Sequence, residues 1–299
     1  LSFAQTTEKR FLFHGNAVGF AAHIRRPEDF QIPTMAKSCL PVTGGVAEGS
    51  EHNKCFRDII SFESVSTRAT GEYKHSKEAV AFTHGNHGEN ELPTVTIVEG
   101  TMTGFKIEIP QPPEVPGAHP VIRKLKIHKM SARMENESGH QRTTSFHSLE
   151  AKIEGASVDG HEFRVITSPE LFSKHDTKHK LALAFEEKSS FHDDHGHHFF
   201  APREGWDPNK IPEENGIVLC TVVKAIEWVD GPAEGCEIEG NRLKISGIGS
   251  IYFGELLIEE DYRRLTLVRF QLGSPHGGEG TALDVQSNGS GWPPKKTGT

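Results

Sequence analysis

The 299-residue chain has 33 basic and 41 acidic residues, a formal net charge of −8, 25% charged and 35% hydrophobic residues, and a mean hydropathy of −0.48. That is enough chain for one large β domain or two ordinary ones, and no apolar run approaches the ~20 residues that cross a bilayer as a helix. An acidic balance without a clustered basic stripe argues against a nucleic-acid partner, because such binding depends on neutralising phosphates.

Leu1-Ser-Phe-Ala4, followed by a polar stretch, resembles the last residues of a secretory signal peptide. The four cysteines fall in two similarly spaced pairs, Cys39 with Cys55 and Cys220 with Cys236. Each pair brackets a loop containing Gly or Pro, so local disulfides are expected, although four cysteines allow three pairings and reduced, buried thiols are the alternative. Together these features predict an exported protein, secreted or periplasmic.

Residues 11–13 and 18–24 read as short strands around a turn at 14–17. Residues 27–50, with Pro33, Pro41 and Gly44-Gly45, read as loop. In 59–73 the apolar positions Ile60, Phe62, Val65 and Ala69 change phase, as a bulged strand would. Residues 79–82 and 95–109 are further strands, and Pro110 to Pro116 interrupts the pattern before a long strand over 121–134. There Arg123, Lys124, Lys126 and Lys129 are interspersed with apolar residues and give a solvated strand face. Residues 146–166 form the clearest hairpin, turned by Asp159-Gly160, a pair suited to the positive φ angles of a type I′ turn.

Ser168-Pro169-Glu170 resembles a helix start, with Phe172, His175, His179 and Leu183 at helical spacing beyond it. The strand pattern resumes over 217–228. Residues 243–258 and 262–272 read as a hairpin, with a bulge or a doubly buried strand near Val268, where Leu265 and Leu267 share a face that Val268 and Phe270 leave. The rest, 274–299, is rich in Gly, Pro and Ser and reads as an extended tail. The prediction is an all-β chain, an antiparallel sandwich or barrel in one large domain, with a short helical, His-rich insertion at 169–215.

Chemistry is sparse. Eight of the eighteen histidines fall in three clusters. His192, His195, His197 and His198, with Asp193 and Asp194, offer imidazole and carboxylate to zinc or copper. His175 and His179 stand four apart with an Asp between, a weak echo of a zinc-protease helix in which a Glu would be the base. His84, His87 and Glu89 lie in a loop after a strand, a place where binding residues are often presented. There is no GxSxG elbow, phosphate loop or dinucleotide fingerprint.

The leading expectation is an exported β protein with a structural, adhesive or self-assembling role, forming a homo-oligomer and binding an extracellular ligand. The alternative is a metal-dependent enzyme or metal-binding protein using the histidine loops. A third reading is carbohydrate binding through Trp206, Trp228 or Trp292.

Overall fold

The structure is a computed structural model and describes residues 12–73, 94–111, 121–138, 144–175, 178–186, 213–214, 216–259 and 262–288. Its strands, in chain order, are β1 (Gly15–Arg26), β2 (Phe30–Cys39), β3 (Gly45–Phe56), β4 (Ile60–Tyr73), β5 (Thr94–Pro110), β6 (Ile122–Ser138), β7 (Thr144–Val158) and β8 (His161–Thr167). After the short helices α1 (Glu170–Lys174) and α2 (Lys178–Glu186) come β9 (Glu213–Glu214), β10 (Ile217–Thr221), β11 (Val223–Trp228), β12 (Cys236–Glu239) and β13 (Arg242–Ile245). The last three are β14 (Gly249–Ile258), β15 (Tyr262–Leu272) and β16 (Gly277–Asn288).

They form two antiparallel sheets packed as a sandwich. The nine-stranded sheet runs β12-β13-β14-β15-β16-β1-β2, with β10 pairing β14 and β9 pairing β10; the seven-stranded sheet runs β11-β8-β7-β6-β5-β4-β3. Chain crossings close the corners, as expected where strands switch sheets. At one corner the backbone of Ala36 and Lys37 on β2 lies over Gly49 of β3, and Thr67 Oγ1 of β4 donates to Ala36 O at 2.7 Å. At the other, Val222 links β10 to β11, its N–H donating to Gly254 O and its carbonyl accepting from Ser168 N. The part of β7 that β8 leaves unpaired is flanked by Thr167, which donates to Ala151 O, and by Ser173 of α1, which accepts from Leu149 N.

Five phenylalanines centre the core. Phe20 lies 5.6–6.2 Å from the rings of Phe56, Phe62, Phe105 and Phe270, joining both sheets. Each such pair contributes about 0.5–1.5 kcal/mol beyond burial.

Both expected hairpins form. Asp159 and Gly160 take φ of 51° and 91° between Val158 and His161, and β14 pairs β15 from Gly249↔Leu272 to Ile258↔Arg263. The phase changes near Phe62 and Val268 belong to a larger feature. Flanking pairs place Asn53, Glu63, Gly104, His128 and Gly155 in one transverse row across β3 to β7. Another row, Gly254, Leu267, Leu283, Gly19 and Ala36, crosses β14, β15, β16, β1 and β2. On alternate strands the row residue is left-handed: Asn53, Gly104 and Gly155 at φ 48–63°, and Gly254, Leu283 and Ala36 at φ 46–58°. At each row the strands exchange their inward and outward faces. In β5, Val98 and Met102 point inward before the row, and Phe105, Ile107 and Ile109 after it.

Four expectations are corrected. Residues 27–50, read as loop, hold β2 and the first half of β3; Pro33 is tolerated because β2 is an edge strand. Gly15 to Ala17, read as a turn, opens β1. Residues 277–288, read as tail, are β16, paired on both sides. Glycine is required there: a Cβ on Gly280 would lie 2.3 Å from Phe270 Cζ and 2.7 Å from Ala22 Cβ. Finally, the expected helix is broken. Pro169, not Ser168, is the N-cap of α1, and the Ser168 hydroxyl donates to Glu170 instead. The face carrying Phe172 does not continue, since Leu181 is buried while Leu183 is exposed.

Candidate functional site

The outer face of the seven-stranded sheet holds a concave groove of about 550 Å³ across β3 to β7. Strand pairing builds it row by row. Glu48↔Arg68, Arg68↔Glu99, Glu99↔Arg133 and Arg133↔Glu150 are successive partners, so five strands carry alternating carboxylates and guanidiniums in a single line. Arg68 Nε lies 3.3 Å from Glu48 Oε1. Arg133 serves three carboxylates: Glu135 at 2.6 Å, Glu150 at 3.7 Å and Glu99 at 3.9 Å.

Two residues along β3 to β6 on one side lies a row of hydroxyls, Ser50, Ser66, Thr101 and Ser131, which ends on Lys152 of β7. On the other side, Val46 and Ile97 line a continuation of about 460 Å³. The row on that side is mixed, since Thr70 and Glu135 pair with Val46 and Ile97 along it, and the strands are about 4.8 Å apart. Exposed ion pairs are worth only about 0–1 kcal/mol, so the ladder does little for stability and keeps its donors and acceptors open to a ligand. Among the described residues the groove lining includes no histidine, and His52 stands two residues beyond Ser50, opposite Ser64. This arrangement suits binding by hydrogen bonds.

None of the candidate site residues singled out in the sequence is among the described lining of this groove. His84, His87, Glu89, His192, His195, His197 and His198 fall outside the described residues, as do Trp206 and Trp292. His175 follows α1 and the exposed His179 lies in α2, so they do not share one helix face. Among the described residues no three His, Cys, Asp or Glu side chains group as metal ligands. Trp228 packs edge-on against Phe163 at 5.6 Å, as part of the core.

The expected disulfides are a correction: all four thiols are free. Cys220 is fully buried on β10 and donates to Leu256 O at 3.2 Å, its thiol pushed well up by burial. Cys236 instead faces Arg123 Nη2 at 3.7 Å, and its thiol is likewise raised, first by burial. Cys39 and Cys55 are exposed, and Cys55 Sγ donates to Asp58 at 3.6 Å.

The ladder escaped the sequence because its members are 17 to 34 residues apart and belong to strands not yet placed in order. The usable signal was the hydroxyl and charge alternation within β4, where Ser64, Ser66 and Arg68 alternate with buried Val65 and Thr67.

The fold and face define an antiparallel β-sandwich with an extended polar groove on one sheet. The chain belongs to a family described as a domain of unknown function (DUF8256), whose model matches residues 11–107 and 197–259, more than half of its length. No curated protein matches it. Among the described residues no helix is long and apolar enough to cross a membrane.

Proposed function

We propose that the chain is an exported binding protein of structural or adhesive kind, and that the outer face of the seven-stranded sheet holds an extended, uncharged, polyhydroxylated ligand, a neutral glycan. The observation that carries this reading is the five-strand ladder from Glu48 to Glu150, flanked by hydroxyls on one side and by a mixed row holding Val46 and Ile97 on the other. Sugar hydroxyls both donate and accept, so they pair with carboxylates and guanidiniums alike, while sugar C–H faces lie against Val46 and Ile97. With three carboxylates to two guanidiniums in the line, the ladder gives a polyanion no net attraction. A homo-oligomer would raise avidity by presenting several such faces.

Affinity electrophoresis through a soluble mixed-linkage glucan, a mannan and a xylan tests this, with heparin as the charged control. At least one neutral polymer should retard the protein, and the Glu99→Gln/Arg133→Met variant should weaken the effect by about tenfold or more, the scale of one lost charge-assisted hydrogen bond. Retardation by none of them, or retardation indifferent to that variant, refutes the assignment. Size exclusion with light scattering reads the oligomeric state.

A further inference from the structure

The side chains of the ladder alternate in kind from strand to strand, and those of the row beside it do not. Across β3 to β7 the ladder reads Glu48, Arg68, Glu99, Arg133 and Glu150, so carboxylates, which only accept, alternate with guanidiniums, which only donate. The neighbouring row reads Ser50, Ser66, Thr101, Ser131 and Lys152, in which four successive hydroxyls can each donate or accept. The groove follows both rows and so runs across the strands. Its floor is backbone, because the intervening Thr67 and Ala132 are buried and a Cβ on Gly100 would meet Leu283 of the opposite sheet. The five charged side chains are 31% to 65% exposed, so their polar ends are open to a bound molecule.

A ligand that lies in register on such a face repeats as the face does. The ladder has one side chain per strand, about 4.8 Å apart, and its chemical period is two strands, about 10 Å. A 1,4-β-linked hexopyranose chain extends as a flat ribbon in which each residue is turned over relative to the last. Each residue advances by about one strand spacing, and the chain repeats every two residues. Along one edge of the ribbon, the 2- and 3-hydroxyls of one residue alternate with the hydroxymethyl group and ring oxygen of the next. The two oxygens of a carboxylate accept from a pair of adjacent hydroxyls, and the N–H groups of a guanidinium donate to the hydroxymethyl and ring oxygens.

We propose that the groove takes a 1,4-β-linked neutral hexose chain, a glucan or mannan, laid across the strands with one sugar residue over each strand. This inference rests on the neutral-glycan reading above and adds linkage, length and register to it. The diol edges face Glu48, Glu99 and Glu150, and the hydroxymethyl edges face Arg68 and Arg133. The opposite edge of the ribbon lies against Ser50, Ser66, Thr101 and Ser131, whose hydroxyls suit either kind of group. Five side chains span four strand spacings, about 19 Å, so five sugar residues fill the line. A 1,3-β-linked chain winds instead of lying as a ribbon and keeps no such register.

Isothermal titration of the full chain with 1,4-β-linked glucose and mannose oligosaccharides of two to six residues tests this. The controls are the 1,3-β-linked glucose pentasaccharide and the 1,4-β-linked xylose pentasaccharide, which lacks the hydroxymethyl group. In at least one of the two series affinity should rise up to the fifth residue and then level off, with the pentasaccharide about tenfold or more tighter than either control. Arg68→Glu/Glu99→Arg keeps the composition and net charge of the face but breaks the alternation, and should weaken that pentasaccharide by about tenfold. Backbone amide spectra check that this variant is folded; if it is not, the length and linkage series decide. Affinity that levels off at two or three residues, a control that binds equally well, or a double variant that binds as the wild type does overturns this inference and leaves glycan binding standing. Binding of no neutral oligosaccharide and retardation by no neutral polymer overturns both.

Discussion

Replacing Ala36 with glycine should leave stability almost unchanged, although the residue is 5% exposed in the middle of a strand. Ala36 holds φ at 46°, and the left-handed region costs a residue bearing a Cβ about 1–2 kcal/mol. Glycine removes that strain. Against it stand about 0.5–1 kcal/mol for the greater freedom of glycine in the unfolded chain and about 0.8 kcal/mol for one buried methyl. The contributions nearly cancel. The control is Ala69→Gly on β4, fully buried and not among the positive-φ residues, where the two losses act alone and sum to about 1.3–1.8 kcal/mol. Denaturant unfolding of both variants, compared at unchanged m-value, should separate them by about 1–2 kcal/mol. Equal losses at the two sites would refute the claim that a left-handed row runs through β2.

Three further outcomes are expected. In the native protein a thiol reagent should label Cys39 and Cys55 quickly and Cys236 slowly, reaching Cys220 only on unfolding, since exposure and thiolate character govern the rate; resistance of Cys39 and Cys55 to labelling until a reductant is added would contradict the free-thiol arrangement. Phe20→Ala should cost about 3–5 kcal/mol in denaturant unfolding, because it empties the junction of four other rings. His276 gives a pH signature. Its folded pKa lies below the ordinary 6.5, so as pH falls below about 6.5 the unfolded chain takes up a proton that the folded protein does not, and stability declines until the folded pKa is passed. The stability difference between wild type and His276→Gln should therefore vary through that window and stay constant above it; a difference that does not vary with pH counts against a lowered His276 pKa.

Regions whose periodicity was local were legible. The Asp159-Gly160 turn carries its own conformational signature, and the phase changes at Phe62 and Val268 are visible because apolar residues mark the inward face. What escaped depends on neighbours. Position 280 of β16 needs glycine because Phe270 and Ala22 occupy the space a side chain would fill, and that is invisible until β15 and β1 stand beside it. β2 and β3 are edge strands, where proline and polar residues are admissible and the composition resembles loop. The helix broke at His175, whose φ of −103° and ψ of 69° leave the helical region, although its side-chain spacing had suggested continuity. The groove needed five strands in register, and no single stretch of chain contains that information.

The two transverse rows bear on how the strands find their places. A sheet of plain alternating strands can slip by two residues and still bury the same face, so only its turns fix the register. Here such a slip would set a left-handed residue opposite an extended one and turn part of a strand's hydrophobic side to water. Each row thus works as an alignment key cut across five strands at once. Deleting or inserting one residue on either side of it should be tolerated only in the connecting loops, and misaligned chains should be rejected during folding rather than trapped as near-native sheets.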